Sequence, residues 1–227
     1  MILALYAIGD LHLSFGTNKP MDIFGGKWKN HPEKTQEGFK KITSEDLCVI
    51  CGDISWAMNL DECLEDLLFI ERLPGKKIIL KGNHDYWWST VTKIKTFFSA
   101  KGIKSINILY NNCFFYEGAT ICGTRGWFFD DELTADQNKK ISVRESLRLL
   151  TSLKTADQDP QYRDNIKICF FHYPPRFNNN ECHDIISIMN EYNVKKCIYG
   201  HLHGTGHQSA VRGLNEGIEY EIVSADY

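Results

Sequence analysis

An α/β fold with parallel strand pairing is what this chain predicts, on three observations. Apolar runs of strand length alternate with helical stripes from residue 2 to residue 102, and the same alternation returns from residue 166 to residue 223. Between them, residues 106–122 carry a hairpin signal centred on Gly118. Neither an internal repeat nor a low-complexity linker interrupts the 227 residues, so one domain, residues 1–227, is expected.

Taken in order, residues 2–8 read as a buried strand that Gly9 releases into Asp10-Leu11-His12. Residues two apart in an extended segment project from the same side, so this carboxylate and imidazole can reach one point. The long loop 14–30 carries Phe15, Phe24 and Trp28, and its aromatics predict an ordered pocket wall. Pro32 opens a short amphipathic helix with Phe39 and Ile42 inward. Residues 47–50 form the second strand, ending at Gly52-Asp53. Asn59 is then expected to cap a helix over 60–73, which Pro74-Gly75 ends.

The third strand, Ile78-Ile79-Leu80, stops at Gly82 and opens onto Asn83, His84 and Asp85. Ser89 is the expected cap of a helix whose buried stripe is Val91, Ile94, Phe97 and Phe98, with Gly102 as terminator. Short strands follow at 106–110, 113–117 and 119–122. An acidic segment, 130–136, leads into a helix over 139–154 with Ile141, Leu147, Leu149, Leu150 and Leu153 on its apolar face. The chain closes as strand 166–171 with His172, helix 184–192, strand 195–199 with His201-Leu202-His203, and strand 218–223.

Bulk properties exclude several classes. Net charge of −3, a pI near 6.2 and the lack of a Lys/Arg block argue against a long nucleic-acid partner. No apolar run approaches the roughly 20 residues that span a bilayer. The first ten residues read as a strand and not as an export signal, so a cytoplasmic protein with reduced thiols is expected. The eight cysteines lie scattered through apolar segments. Cys48 and Cys51 formally match a Cys-x-x-Cys pair, but inside a strand they face opposite ways, and no second pair completes a zinc site.

Five of the eight histidines, His12, His84, His172, His201 and His203, fall just after an apolar strand. Ligand groups in α/β sheets gather beyond the carboxyl ends of strands. With Asp10, Asp53 and Asn83 they make a nitrogen and oxygen donor set that suits Mn²⁺, Fe, Zn²⁺ or Mg²⁺.

The order and spacing of Asp10-Leu11-His12, Gly52-Asp53, Gly82-Asn83-His84-Asp85, His172 and Gly200-His201-Leu202-His203 resemble the calcineurin-like metallophosphoesterase superfamily. GDISWAM, GNHDYWW and VSADY resemble an uncharacterised bacterial branch of predicted phosphohydrolases. The resemblance implies a four-layer α/β/β/α sandwich of two mixed sheets and two divalent metal ions. Carried over by position, one ion is expected on Asp10, His12, Asp53 and His203, and the other on Asp53, Asn83, His172 and His201, with Asp53 bridging. A metal-bridging hydroxide is the expected nucleophile on a small phosphodiester or phosphomonoester. His84 is the expected general acid, with Asp85 orienting its imidazole.

The arginine that follows the second motif in protein phosphatases is absent, since Ile54-Ser55-Trp56 stands there. Arg125 and Arg176 are the candidate replacements for gripping phosphate. Trp56 and Tyr86, beside the motifs, are candidates for stacking on an organic arm of the substrate. A small phosphorylated substrate is the expected partner, and the oligomeric state stays open. Two other readings fit the same sequence: a catalytically silent binding protein on the same fold, and a metallohydrolase of non-phosphate esters or amides.

Overall fold

Alternation of side chains along the central strands divides their apolar residues between two cores, and that division sets the architecture. The computed structural model describes residues 3–128, 130, 132–178 and 180–227. Ile2 of the first expected strand and Asp131 of the acidic segment lie outside the described residues. In chain order the elements are β1 (Leu5–Ile8), α1 (His31–Phe39), β2 (Leu47–Ile50), α2 (Leu64–Arg72), β3 (Lys76–Ile79), α3 (Val91–Lys101), β4 (Ile106–Ile108), β5 (Phe114–Tyr116) and β6 (Ala119–Thr124). There follow α4 (Ala135–Asp157), β7 (Ile166–Phe171), β8 (Arg176–Phe177), β9 (Asn180–Glu181), α5 (His183–Glu191), β10 (Lys196–Tyr199), β11 (Gly213–Asn215) and β12 (Ile218–Ile222).

Strands β1 to β4 form one sheet in sequence order, each pair parallel. The second sheet runs β11-β12-β10-β7-β6-β5, with parallel inner pairs and an antiparallel hairpin at each edge. Val49, Cys51, Ile78 and Leu80 of the first sheet meet Ile121, Ile168, Phe170 and Ile198 of the second. Their neighbours face outward. Ile50 and Ile79 join Leu67 and Ile70 of α2 and Ile94 and Phe98 of α3, while Cys169, Phe171, Cys197 and Tyr199 join Leu149, Leu153, Ile185 and Met189 of α4 and α5. The result is helices, sheet, sheet, helices. Each fully buried aliphatic or aromatic chain contributes about 1.5–3 kcal/mol relative to exposure.

Cys48 and Cys51 are buried in different cores, as strand geometry demands, and all eight cysteines are unpaired. No helix among the described residues is long and apolar enough to cross a membrane.

Local details differ from expectation for identifiable reasons. Asn59 does cap, but it caps the turn that leads into the helix: its Oδ1 accepts from Glu62 N–H at 3.0 Å, Glu62 answers Met58 N–H at 2.9 Å, and α2 itself begins at Leu64. Thr90, not Ser89, caps α3, accepting from Lys93 N–H at 3.3 Å, and Gly102 terminates that helix in the left-handed conformation. On α4 Leu147 is exposed, whereas Glu145 is fully buried. The strands β8, β9 and β11 are too short for periodicity to register.

Candidate metal centre

The loops that follow β1, β2, β3, β7 and β10 meet at one place. Asp10 N–H donates to Gly52 O at 3.0 Å and His12 N–H to Asp53 O at 2.9 Å, while Gly200 N–H donates to His172 O at 3.2 Å. Asp10, His12, Asp53 and His201 all adopt positive φ, between 43° and 72°. The Asp-x-His segment is therefore a kinked turn and not the extended stretch its spacing suggested. Short polar side chains tolerate that region better than branched ones. Glycine makes the close approach feasible. A Cβ at Gly82 would fall 2.0 Å from Asp53 Oδ1, and one at Gly200 would fall 2.5 Å from Asp10 Oδ2.

Three donor groups form among the described residues, each with ligand atoms within 4.8 Å of one another: His203 with His207 and Asp226 at the rim, and, at the motifs, Asp10 with His12 and His203, and Asp53 with His172 and His201. Asp53 Oδ2 stands between the two motif groups, 3.7 Å from His12 Nε2 and 3.5 Å from His172 Nε2. Asn83 Oδ1 lies 2.5 Å from His172 Nε2. Imidazole nitrogens confront each other, His12 Nε2 to His203 Nε2 at 3.4 Å and His172 Nε2 to His201 Nδ1 at 3.2 Å. Unshared pairs so placed fit cations between them, and this mixed nitrogen and oxygen set suits divalent first-row metals or Mg²⁺. The outer nitrogens are oriented: His172 Nδ1 lies 3.1 Å from Cys51 O and His203 Nδ1 lies 2.8 Å from Asp226 Oδ1. Such partners hold the ring and leave the inner nitrogen free to ligate.

Burial dominates the electrostatics. It presses the imidazoles of His12 and His201 well below their ordinary range and that of His172 down to about 3, so all three are neutral near neutrality, the form in which imidazole can ligate. Burial raises the carboxyl of Asp10 to about 8, with His203 opposing and Asp53 adding to the rise; burial and Asp53 together raise Asp85 to about 7. A carboxyl whose folded value exceeds its unfolded value stabilises the fold fully below the unfolded value and loses that contribution as pH climbs through the folded one. The depressed imidazoles work the opposite way, adding stability as pH rises to their unfolded value of 6.5, so we expect the chelated protein to lose stability to urea between about pH 6.5 and about pH 8, and saturating Mn²⁺ or Zn²⁺ to remove that slope. Equal slopes with and without metal would contradict the assignment.

His84 lies at the edge of this group, its backbone N–H donating to Asp53 Oδ1 at 2.8 Å. Its ring is 4.5 Å from that of Trp56 and forms part of a cleft of ≈ 620 Å³ lined also by Met21, Phe24, Trp28 and His203. The expected aromatic wall from the loop 14–30 is thus Phe24 with Trp28, and Trp28 meets the rings of His12 and His203 edge-on.

Asp85 does not orient His84. It is fully buried and accepts from Ile54 N–H at 2.8 Å, Ser55 N–H at 3.3 Å, Trp87 Nε1–H at 2.9 Å and Gly82 N–H at 2.7 Å. Both oxygens are spent clamping the second motif to the third. The side chain beside His84 Nδ1 is instead Tyr86, whose exposed ring places Oη 3.4 Å away. Trp56 is packed, stacked on His12 at 4.8 Å with Lys19 Nζ 3.6 Å from its ring centre, so it backs the histidines more than it offers a bare platform.

Neither candidate arginine enters the His84 cleft. Arg176 is paired with Glu181 at 2.9 Å and with Glu216, which removes it as a free phosphate grip. Arg125 lies over Trp127 and Tyr173, 4.0 Å from Glu145, and lines a different cleft.

Asp226 is the site residue that the motif reading passed over. It follows the last strand, as the donor-group histidines follow theirs, and that position was the available signal. Its Oδ2 accepts from Gly204 N–H at 3.1 Å. Against the lowering effect of burial, the hydrogen bond to Asp226 holds His203 above its ordinary value. Replacing such an outer partner typically weakens metal binding about 10–100-fold, and Asp226→Ala is expected to do so in a competitive chelator titration. Unchanged affinity would demote Asp226 to packing.

A family model described as calcineurin-like phosphoesterase matches residues 3–205. No match is found among curated proteins. Among solved structures, the chain is similar to phosphopantetheinyl hydrolase from Mycobacterium tuberculosis at 16% identity and TM-score 0.54, covering 97% of this chain and 88% of that one. It is also similar to the protein TT1561 of Thermus thermophilus at 12% identity and TM-score 0.56, covering 88% of this chain and 81% of that one. At these identities the likeness speaks for the fold alone.

Proposed function

The chain belongs to the calcineurin-like phosphoesterase family, and we propose that it is a dinuclear divalent-metal phosphoesterase acting on a small phosphorylated molecule. The observation that carries this reading is Asp53 Oδ2, one carboxylate oxygen within 3.7 Å of a nitrogen in each of the two motif donor groups. Asp10, His12 and His203 would hold one cation with Asp53, and Asn83, His172 and His201 the other. A bound pair of such ions supplies an activated water and neutralises phosphoryl charge during in-line displacement.

The protein's own part follows from the residues around that point. His84 stands beside Asp53 without belonging to any of the donor groups, and it is assigned to protonate the leaving oxygen. Burial holds its imidazole below the ordinary value, and a phosphoryl anion alongside would raise it again. Trp28 and Trp56 line the cleft beside it, apolar surface that would limit water around the leaving group.

The same cleft supports diesters as substrates at least as good as monoesters. Its wall of Met21, Phe24, Trp28 and Trp56 suits an organic arm, and among the described residues no arginine lines it, while its lysine, Lys27, is engaged with Asp226 O at 2.8 Å. Assays of metal-loaded protein with matched aryl phosphate mono- and diesters test both statements. Turnover of neither, with turnover of an aryl carboxylate ester or thioester instead, would overturn the phosphoesterase reading. A strong monoester preference abolished by Arg125→Ala would overturn the diester preference alone.

A further inference from the structure

A second cleft, also ≈ 620 Å³, shares no lining residue with the one that holds His84. It brings together Lys81, Arg125, Arg144 and Arg148 beside Ser89 and Thr90 at the start of α3. Among the described residues Glu145 is the one carboxylate that answers these cations, at 2.6 Å from Arg148 Nη1, 3.3 Å from Arg144 Nε and 4.0 Å from Arg125 Nη2. It also accepts from Thr124 Oγ1 at 2.6 Å. Four cations against one carboxylate leave three positive charges in a concave surface. Among the described residues Lys81 has no hydrogen-bond or ion-pair partner, and Arg125 Nε is buried without one. Partly desolvated cations in surplus create a demand for an anion, and guanidinium forks match phosphate and carboxylate oxygens.

The cleft adjoins the metal centre. Lys81 immediately precedes Gly82-Asn83, and Arg125 O accepts from His172 N–H at 3.1 Å. The Arg125 guanidinium lies 5.7 Å from the Tyr173 ring centre, and that ring is 5.1 Å from His172 and 4.3 Å from His201. One aromatic ring thus separates the basic cleft from the Asp53 donor group. His84 opens into the other cleft, so a leaving group protonated there points away from these cations.

We propose that the Lys81, Arg125, Arg144 and Arg148 cleft binds a second anionic group, a phosphate, phosphonate or carboxylate, carried by the substrate on the arm that is not the leaving group. The assignment rests on the phosphoesterase reading above, and it narrows the substrate class to a phosphodiester with one apolar leaving arm and one anionic retained arm.

The test compares 4-nitrophenyl methyl phosphate with 4-nitrophenyl 2-phosphonoethyl phosphate on the metal-loaded protein, since the two share a leaving group. The phosphonoethyl ester should show kcat/KM about tenfold or more above the methyl ester, mostly through KM, as expected for a charge-assisted contact remote from the reacting atoms. Lys81→Ala and Arg144→Ala should each shrink that ratio, and Lys81→Arg should restore it, which a merely structural role would not do. Equal turnover of the two esters by the wild type overturns the anionic arm and leaves the phosphoesterase reading intact. A preference untouched by both alanine variants overturns the cleft as its cause. No turnover of either diester, with turnover of 4-nitrophenyl phosphate, overturns this assignment and leaves the phosphoesterase reading intact, whereas no turnover of any of the three sinks both.

Discussion

Asp53→Ala is expected to lose both metal ions and activity together. Its Oδ2 lies 3.7 Å from His12 Nε2 in one donor group and 3.5 Å from His172 Nε2 in the other, so on the proposed two-ion reading its removal would cost each ion a ligand. Removing a single electrostatic donor from an active site costs about 10²–10³ in rate, and loss of a shared ligand should exceed that. Elemental analysis after loading with Mn²⁺ or Zn²⁺ should find about two ions per wild-type chain and fewer than one in the variant. Asp53→Asn keeps an acceptor for His84 N–H, so comparing the two variants by circular dichroism separates lost metal from lost fold. Two ions in a folded Asp53→Ala protein would remove Asp53 from the bridging role.

His84→Ala should do the opposite, keeping the metals and losing rate. General acid catalysis contributes about 10²–10⁴-fold, and the loss should be large for an alkoxide leaving group and small for nitrophenolate, which departs without a proton. Equal losses for both would take His84 out of proton transfer. The surroundings sharpen the test. Tyr86 is the neighbour of His84 Nδ1, so Tyr86→Phe should move the pH profile of the slow substrate, whereas Asp85→Ala should act through the fold. It would strand four buried donors, each costing about 1–3 kcal/mol when unmet.

How much of this site could be read in advance depended on the range of the interactions involved. Where a short apolar run meets glycine and then Asp, Asn or His, the strand must end and the polar group must lie beyond it, whatever the rest of the chain does. That local rule placed Asp10, Asp53, Asn83, His84, His172 and His201 at strand ends. Geometry within those loops was less accessible. The positive φ of Asp10 and His12 is imposed by hydrogen bonds to Gly52 and Asp53, about 40 residues further along the chain, and no spacing rule encodes it.

By itself, then, the sequence determined the strand and helix alternation and the chemical identity of the donors, because each depends on side-chain period and on the residue that stops a run, while the stacking of two sheets was expected only through the family resemblance. Only the tertiary structure decided what the polar groups face. Asp85 turned to Ile54, 31 residues back; Asp226 reached His203, 23 residues back; and Arg176 was taken by Glu216, 40 residues on. Arg125 was drawn into a basic cleft around Glu145, a residue the helical pattern of α4 assigns no role. A buried charge must find its counterpart wherever the fold brings one within reach, and proximity between distant residues exists only once the chain has packed.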